Sequence, residues 1–145
     1  MDALLDIEYV QANKSHQCIR KLAILLEDGE TFFVREFRPC MPWRSLELKY
    51  KKSFDYCRRN IHHLEYNPRC AASNCADAID TVRDILEWNN VSRVLYKGGN
   101  IERKLCQQLG MPSKNIEDYG APKATSHDPL GELKEHHAFL QSRRR

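Results

Sequence analysis

Long apolar runs, a secretory signal and a strong charge of one sign are all missing from this sequence. No stretch of its 145 residues is long and apolar enough to span a bilayer, and its first residues lack the basic, apolar and cleavage segments of a signal peptide. We therefore expect an intracellular protein, cytoplasmic or nuclear, without a membrane partner. The 23 basic and 20 acidic residues give a net charge of +3, which permits a polyanionic partner but does not require one.

Internal repeats and low-complexity segments are missing as well, which excludes solenoids and other repeat architectures. The length favours one domain, which we expect over residues 1–140, followed by a basic end at residues 141–145. Six cysteines are present. Without a secretory route they are expected to be reduced thiols, most of them in the core.

The spacing of apolar residues predicts three β-strands at the start of the chain. These strands cover residues 3–11, 17–26 and 31–38, and Asp28 with Gly29 forms a hairpin turn between the last two. Alternation of apolar and polar residues is typical of strands that bury one face. The first part of the chain is therefore expected to be an antiparallel sheet.

Helices and short extended segments alternate in the rest of the sequence. The first helix is predicted from residue 46 to 60 with Ser45 as its N-cap, and the last begins at Pro129 with Asp128 as its N-cap. Between them we predict a helix in CADAIDTVRDILEWNN, a strand in SRVLYKGG, a helix in NIERKLCQQLG and a strand or extended segment in NIEDYG. This order predicts an α/β fold, a mixed β-sheet flanked by helices.

Two acidic residues interrupt the first predicted strand. Asp6 and Glu8 are two positions apart in ALLDIEYVQ, so their side chains share one face of the strand. Unpaired carboxylates at the edge of a core are costly, and a hard divalent cation is the natural group to neutralise them. The triplet alone is a weak motif, and its position inside an apolar strand carries the hypothesis.

A second pair of polar residues stands near the other end of the chain. In SHDPLGEL, His127 precedes the last predicted helix, and Glu132 lies one turn inside it, so both can point at the same spot. The plainer interpretation is that His127 is a loop residue beside a helix cap.

These residues together resemble the DEDDh branch of the DnaQ-like 3′–5′ exonucleases, which have a ribonuclease H-like fold. The matches are Asp6 and Glu8 in LLDIEY, Glu102 in YKGGNIERKLC, and His127 with Glu132 in HDPLGE. The order of predicted elements resembles that of the family over nearly the whole chain. Glu102 and Glu132 stand where the family normally has aspartate, and an acid in the first turn of a helix is also favoured by the helix dipole alone.

The resemblance implies hydrolysis of phosphodiester bonds with two ions, Mg²⁺ or Mn²⁺. Asp6 would bridge both ions, Glu8 and Glu132 would hold the ion that activates water, and Glu102 would support the other ion. His127 would accept the proton of the nucleophile. The two glutamates are one methylene longer than aspartate, so metal geometry decides between an active enzyme and an inactive relative.

Basic and aromatic side chains near the implied substrate groove predict a nucleic acid partner, the ends of single-stranded DNA or RNA. The residues predicted to contact it are Tyr9, Arg58, Arg59, His62, His63 and Lys97. Lys97 is followed by two glycines, which let a backbone approach a phosphate closely. A solvated basic face is the alternative explanation.

Other functions remain open. A ribonuclease H-like module without effective catalysis could bind RNA or a protein, as Maelstrom domains illustrate, and the chain loosely resembles those too. A zinc-stabilised adaptor is a third alternative, although its potential ligands lack the tight pairs of structural zinc sites. Those ligands are Cys57, His62, His63, Cys70 and Cys75.

Overall fold

A computed structural model of the protein describes residues 1–14, 16–39, 41–66 and 73–144. The strands are β1 Asp2–Asn13, β2 His16–Leu26, β3 Phe32–Arg38, β4 Ser73–Asn74, β5 Arg93–Tyr96 and β6 Ser113–Asn115. The α-helices are α1 Leu48–Cys57, α2 Ala78–Trp88, α3 Asn100–Leu109 and α4 Pro129–Arg143. Short 3₁₀ turns cover Trp43–Ser45, Cys75–Asp77 and Ile116–Tyr119, and a π-helical turn covers Arg58–His62.

The strands form one mixed sheet in the order β4-β3-β2-β1-β5-β6. The first three pair antiparallel, whereas β5 and β6 extend the sheet beside β1 in parallel, and the two-residue β4 pairs with the end of β3. The predicted α/β class, with three antiparallel strands followed by alternating helix and strand, is confirmed. Because β1 is central, its side chains lie in the middle of the sheet.

Alternation along β1 divides the core into two layers. Leu5 and Ile7 pack on one face against residues of α2 and α3, whereas Leu4 packs on the opposite face in a cluster that includes Leu133 of α4. Asp6 and Glu8 share the parity of Leu4, so they lie on the face that α4 covers. The helix that covers this face therefore decides what the two acids meet.

A change of register follows Glu8. Glu8 pairs with Lys21, but Tyr9 pairs with Ile19, so β2 contains one extra residue at this point. Such bulges bend a strand and redirect the side chains beyond it. Val10 and Ala12 then pack in a separate cluster with residues of the segment around α1. The bulge thus separates the strand's acid-bearing half from its second half.

Local signals predicted most element ends correctly. Asp28 accepts hydrogen bonds from the backbone of the hairpin turn, Gly110 ends α3 in the left-handed conformation, and Asp128 caps α4. One prediction at an element end is wrong. Ser45 ends a 3₁₀ turn, and the N-cap of α1 is Glu47, which makes no side-chain cap bond.

The second error concerns NIEDYG, which was expected to be a strand or an extended segment. Most of it forms a 3₁₀ turn over Ile116–Tyr119, and the strand β6 precedes it. Asn115 caps this turn by accepting a hydrogen bond from the Glu117 amide, and Ile116 is fully buried. The hydrogen bond from the Glu117 amide to the Asn115 side chain therefore takes the place of the strand pairing expected for this segment.

The expectation of reduced thiols is wrong for Cys18, which is disulfide-bonded. Cys57 and Cys106 are free, and Cys106 is buried in the core as predicted. The spacing of cysteines along a sequence does not show which of them approach each other in space, so the sequence did not predict this bond. None of the helices in the described parts of the chain is both long and apolar enough to cross a bilayer.

Candidate functional site

Three acids from the two ends of the sequence meet on the α4 face of the sheet. One carboxylate oxygen each from Asp6, Glu8 and Glu132 lies within 4.8 Å of the other two, and all three residues are half-buried. We call these three residues the acid cluster. Two of them come from β1 and the third from α4, so the cluster exists only where this helix crosses this strand.

The beginning of α4 is fixed beside β2. Asp128 accepts a hydrogen bond from the Gly131 amide at 3.2 Å and forms an ion pair with Lys21 at 3.0 Å. Lys21 is the residue opposite Glu8 in the sheet. Leu133, next to Glu132, is fully buried, and burial of such a side chain contributes about 1.5–3 kcal/mol. Cap, ion pair and core contact together place Glu132 over the strand.

Glu102 lies beside the acid cluster but is not one of the three residues that meet within 4.8 Å. It is 4% exposed, in the first turn of α3, and its Oε1 accepts a hydrogen bond from the Ile7 amide at 3.2 Å. The Ile7 amide lies between the two acids of β1. Glu102 therefore holds the strand backbone at the point where the acids project.

Gly99, the second of the two glycines that follow Lys97, makes room for Glu102. A Cβ on Gly99 would collide with Glu102 Oε2, and Gly98 has a φ of +76°, a conformation that favours glycine. From the sequence alone, this room is expected to admit an approaching phosphate. In the structure, the carboxylate of Glu102 occupies the space next to Gly99.

Burial and mutual repulsion raise the pKa values of Asp6, Glu8 and Glu102. Burial is the main cause of the raised pKa of Asp6, and a hydrogen bond to Glu132 and repulsion from Glu132 raise it further. Burial also raises the pKa of Glu8 to about 7, reinforced by Glu132 and opposed by Lys21. The pKa of Glu102 rises to about 7 through burial, although the Ile7 amide lowers it.

Two buried carboxylate oxygens have no hydrogen-bond partner among the described residues. They are Asp6 Oδ2 and Glu102 Oε2. Hard divalent cations bind carboxylate oxygens, and a bound cation would relieve both the repulsion and the missing contacts. The donor set therefore fits Mg²⁺ or Mn²⁺, with Asp6, Glu8 and Glu132 as the residues that can share an ion.

A cavity of about 130 Å³ borders the acid cluster. Its lining includes Asp6, Glu132, Lys97, Lys123, His127 and His136. His127 and Lys97, both predicted from the sequence, thus lie at the same cavity as two of the acids. His127 is exposed, which leaves its ring accessible to a ligand.

A larger cavity of about 360 Å³ adjoins the first, because His127 lines both. Glu8, Lys21 and His63 are among its other lining residues. His63 has a φ of +56°, in the left-handed region. The predicted contact residue His63 therefore lies along a groove that runs past the acid cluster.

The remaining predicted contacts lie elsewhere or are not described. Arg58 forms ion pairs of 3.6 Å with Asp55 and with Glu65, and Arg59 donates to the Asp55 carbonyl. Neither arginine is among the lining residues of the two cavities, nor is Tyr9, which is 42% exposed. His62 belongs to the π-helical turn, but its side chain is not described.

The zinc alternative falls largely outside the described residues. Cys70 lies in the undescribed segment 67–72, and the side chain of Cys75 is not described. Cys57 is a free thiol. Where side chains are described, no group able to hold a metal contains Cys57 or His63.

Sequence reasoning missed His136, which lines the smaller cavity. It is 5% exposed, and neither of its ring nitrogens has a hydrogen-bond partner among the described residues. Burial lowers its pKa, Glu132 opposes this effect and Lys97 adds to it. The signal was its spacing, because Glu132 and His136 are four residues apart and therefore lie on one side of a helix.

No family model matches this chain, and no curated protein matches it either. The function therefore has to be argued from the geometry of the site.

Proposed function

We propose that the protein is a metal-dependent 3′–5′ exonuclease with a ribonuclease H-like fold, acting on the ends of single-stranded DNA or RNA. The observation that carries the proposal is the acid cluster, in which oxygens of Asp6, Glu8 and Glu132 lie within 4.8 Å of one another. The sheet supports it, since three antiparallel strands followed by alternating helix and strand are the layout that the resemblance implies. The 3′–5′ polarity rests on the resemblance alone.

Asp6, Glu8 and Glu132 would hold the divalent ions, with Glu102 in support. When bound, such ions supply the positive charge that stabilises the attacking and leaving oxygens of a phosphodiester. Glu102 keeps the strand in position through the Ile7 amide. The residues of the chain thus contribute a rigid set of oxygens, fixed by a central strand and two helices.

His127 is proposed to accept the proton of the attacking water at a ring nitrogen. It lines both cavities, so a strand of nucleic acid that follows the groove would pass beside it. Imidazole side chains are suited to proton transfer at neutral pH, and this one is exposed to the groove. Lys97, at the cavity that contains Asp6, would contact a substrate phosphate.

A nuclease assay tests this proposal. Single-stranded DNA and RNA oligonucleotides, labelled at the 5′ end, should be shortened stepwise from the 3′ end with Mg²⁺ or Mn²⁺. Cleavage should stop with EDTA and with Asp6→Ala or Glu8→Ala, but continue with Asp84→Ala, which changes an exposed acid of α2. Equal cleavage by wild type and both acid variants would identify a contaminating nuclease and refute the proposal.

A second candidate function is a ribonuclease H-like module that binds nucleic acid without cleaving it. The raised pKa of Asp6 favours it, because a protonated Asp6 lowers the repulsion within the acid cluster without any metal. In that case Asp6→Ala would leave the affinity for single-stranded RNA or DNA unchanged or raise it, since binding would not depend on a metal ligand. The nuclease assay and a binding titration of the same variants separate the two functions.

A further inference from the structure

The smaller cavity brings together three basic groups, of which the proposed reaction uses only Lys97. Lys97, Lys123 and His136 line it together with Asp6 and Glu132. We call these three residues the basic set. They come from the end of β5, from the loop before α4 and from α4 itself. Three separate parts of the chain therefore bring cationic or hydrogen-bonding groups to one cavity.

His136 is the unusual member of the basic set. Its side chain is 5% exposed, and both ring nitrogens are buried without a partner among the described residues. Leaving a buried polar group unpaired costs about 1–3 kcal/mol. A purely structural residue at this position would be better served by leucine, so the imidazole is explained by a ligand that pairs with it.

The two lysines indicate the charge of that ligand. Neither Lys97 nor Lys123 forms an ion pair with any of the described residues. Lys97 is close enough to His136 to interact with it electrostatically. Two uncommitted ammonium groups beside an unpaired imidazole form a donor set for an anion with several acceptor oxygens, of which phosphate is the common biological example.

The acids at the same cavity decide when such an anion can enter. Without an ion these acids would not attract a phosphate, whereas a divalent ion held by them would attract one. The cavity, at about 130 Å³, has room for a group of several heavy atoms. Phosphate binding is therefore expected to require the divalent ion.

We propose that the basic set is a phosphate-binding site, in which His136 donates a hydrogen bond to an oxygen of the terminal nucleotide's phosphate. The inference rests on the proposed function for the ion at the acid cluster, but the contact itself requires no hydrolysis. A nucleoside 5′-monophosphate, the product of the proposed reaction, should occupy the site in the presence of Mg²⁺.

The test is a calorimetric titration of wild-type protein with 5′-AMP in saturating Mg²⁺, followed by inorganic phosphate and adenosine separately. 5′-AMP and phosphate should bind and adenosine should not. His136→Leu should weaken 5′-AMP binding about tenfold, as expected for loss of a hydrogen bond to a charged group. His136→Gln, which keeps a donor, should lose less. His136→Leu should also unfold at a temperature no lower than the wild type, because an unpaired polar group is removed.

His137→Gln is the matched control. His137 is the next residue of α4, its Nε2 lies 3.1 Å from the Glu27 carbonyl, and it is not among the residues that line the smaller cavity. This variant should bind 5′-AMP within about twofold of wild type. The two histidine variants share a helix and a residue type but differ in the cavity that they face.

Three results would overturn the inference. These are unchanged 5′-AMP binding by His136→Leu, a loss of Mn²⁺ affinity by this variant in the absence of phosphate, which would make His136 a metal ligand, and no binding of 5′-AMP or phosphate by wild type while Mn²⁺ still binds. If 5′-AMP binds through His136 but no oligonucleotide is cleaved, the phosphate site stands and the exonuclease proposal fails. If cleavage occurs and His136→Leu binds and cleaves as wild type does, only the phosphate site fails.

Discussion

Asp6 is the residue on which the chemistry of the site depends most. Its carboxyl is buried, repelled by Glu132, Glu102 and Glu8, and left with one buried oxygen that has no partner among the described residues. Clustered acids destabilise a protein that has no bound ligand. Proteins tolerate such clusters at sites where the acids bind a ligand. Stability and function are therefore expected to respond to this residue in opposite directions.

Asp6→Asn should lose activity and gain stability. The amide cannot serve as an anionic metal ligand, so cleavage should fall by more than about 100-fold, the upper end of the effect of losing an outer-shell partner. The buried Asp6 carboxyl must take up a proton on folding at pH 8, whereas the amide need not, so the unfolding temperature without divalent ions should rise by roughly 3–6 °C. Scanning calorimetry and the nuclease assay measure the two effects. Asp84→Asn should change neither, and a less stable Asp6→Asn protein would contradict the proton-uptake argument.

Gly99→Ala tests whether Glu102 needs the space beside the glycine. The new Cβ would collide with Glu102 Oε2, so the carboxyl must move and its bond to the Ile7 amide weakens. We expect a loss of about 1–3 kcal/mol in the free energy of unfolding, measured by urea titration. When Gly99→Ala is combined with Glu102→Asp, whose shorter side chain frees the space, the same alanine should cost less. Additive effects would show that the two residues are not coupled.

Helix α4 completes the acid cluster, because it supplies Glu132 to the two acids of β1. The helix brings Glu132 and His136 to the same cavity and joins β2 through the ion pair of Asp128 and Lys21. The position of its first turn therefore sets the distance between Glu132 and the acids of β1. A change at the cap should affect the site without touching any of the acids.

Asp128→Ala should loosen this first turn. The variant loses the bond to the Gly131 amide and the 3.0 Å ion pair with Lys21, and removal of an N-cap costs about 1 kcal/mol. Cleavage should fall about threefold to tenfold, since Glu132 and His127 flank the cap. The matched control is Asp118→Ala, which breaks an exposed ion pair with Lys114 and should cost less than about 0.5 kcal/mol. Equal losses in the two variants would show that the cap does not position the site.

Periodicity and caps predicted β1, β2, β3 and β5, the Asp28–Gly29 turn, and the beginning of α4 at Asp128, because each depends on neighbours in the sequence. Ser45 was assigned wrongly, since a 3₁₀ turn ahead of α1 moves the start of the helix by two residues. The bulge after Glu8 had no local signal either. It depends on how β2 pairs, which is a property of two strands and not of one.

The site was predictable where a short motif carries chemistry and hidden where only tertiary structure does. Asp6, Glu8 and Glu132 are acids in unusual local surroundings, and the fold brings them together. His136 looks like an ordinary helical residue in the sequence, because only packing reveals that its ring is buried and has no partner in the described parts of the chain. Arg58 was predicted to contact nucleic acid. In the structure its guanidinium forms ion pairs with Asp55 and Glu65 instead.

The protein's response to pH combines all of these groups. Folding raises the pKa of Glu8 and of Glu102 from 4.5 to about 7, and it raises the pKa of Asp6 as well. Between pH 5 and 7 the folded state therefore holds protons that the unfolded chain has released, which makes stability fall as pH rises. His136, whose pKa is lowered, acts in the opposite direction but is a single group against three.

Without divalent ions, the free energy of unfolding should therefore decrease from pH 5 to pH 8. The contribution of the raised carboxyl pKa values is complete near pH 4.5 and is lost as pH passes through about 7. Saturating Mn²⁺ should reverse the trend, because the ion binds the ionised carboxylates and its affinity grows as they lose protons. Urea titrations at pH 5, 6, 7 and 8, with EDTA or with Mn²⁺, measure both slopes. Glu8→Gln should flatten both of them, and a metal-free protein that gains stability over this interval would show that the acids do not hold protons in the folded state.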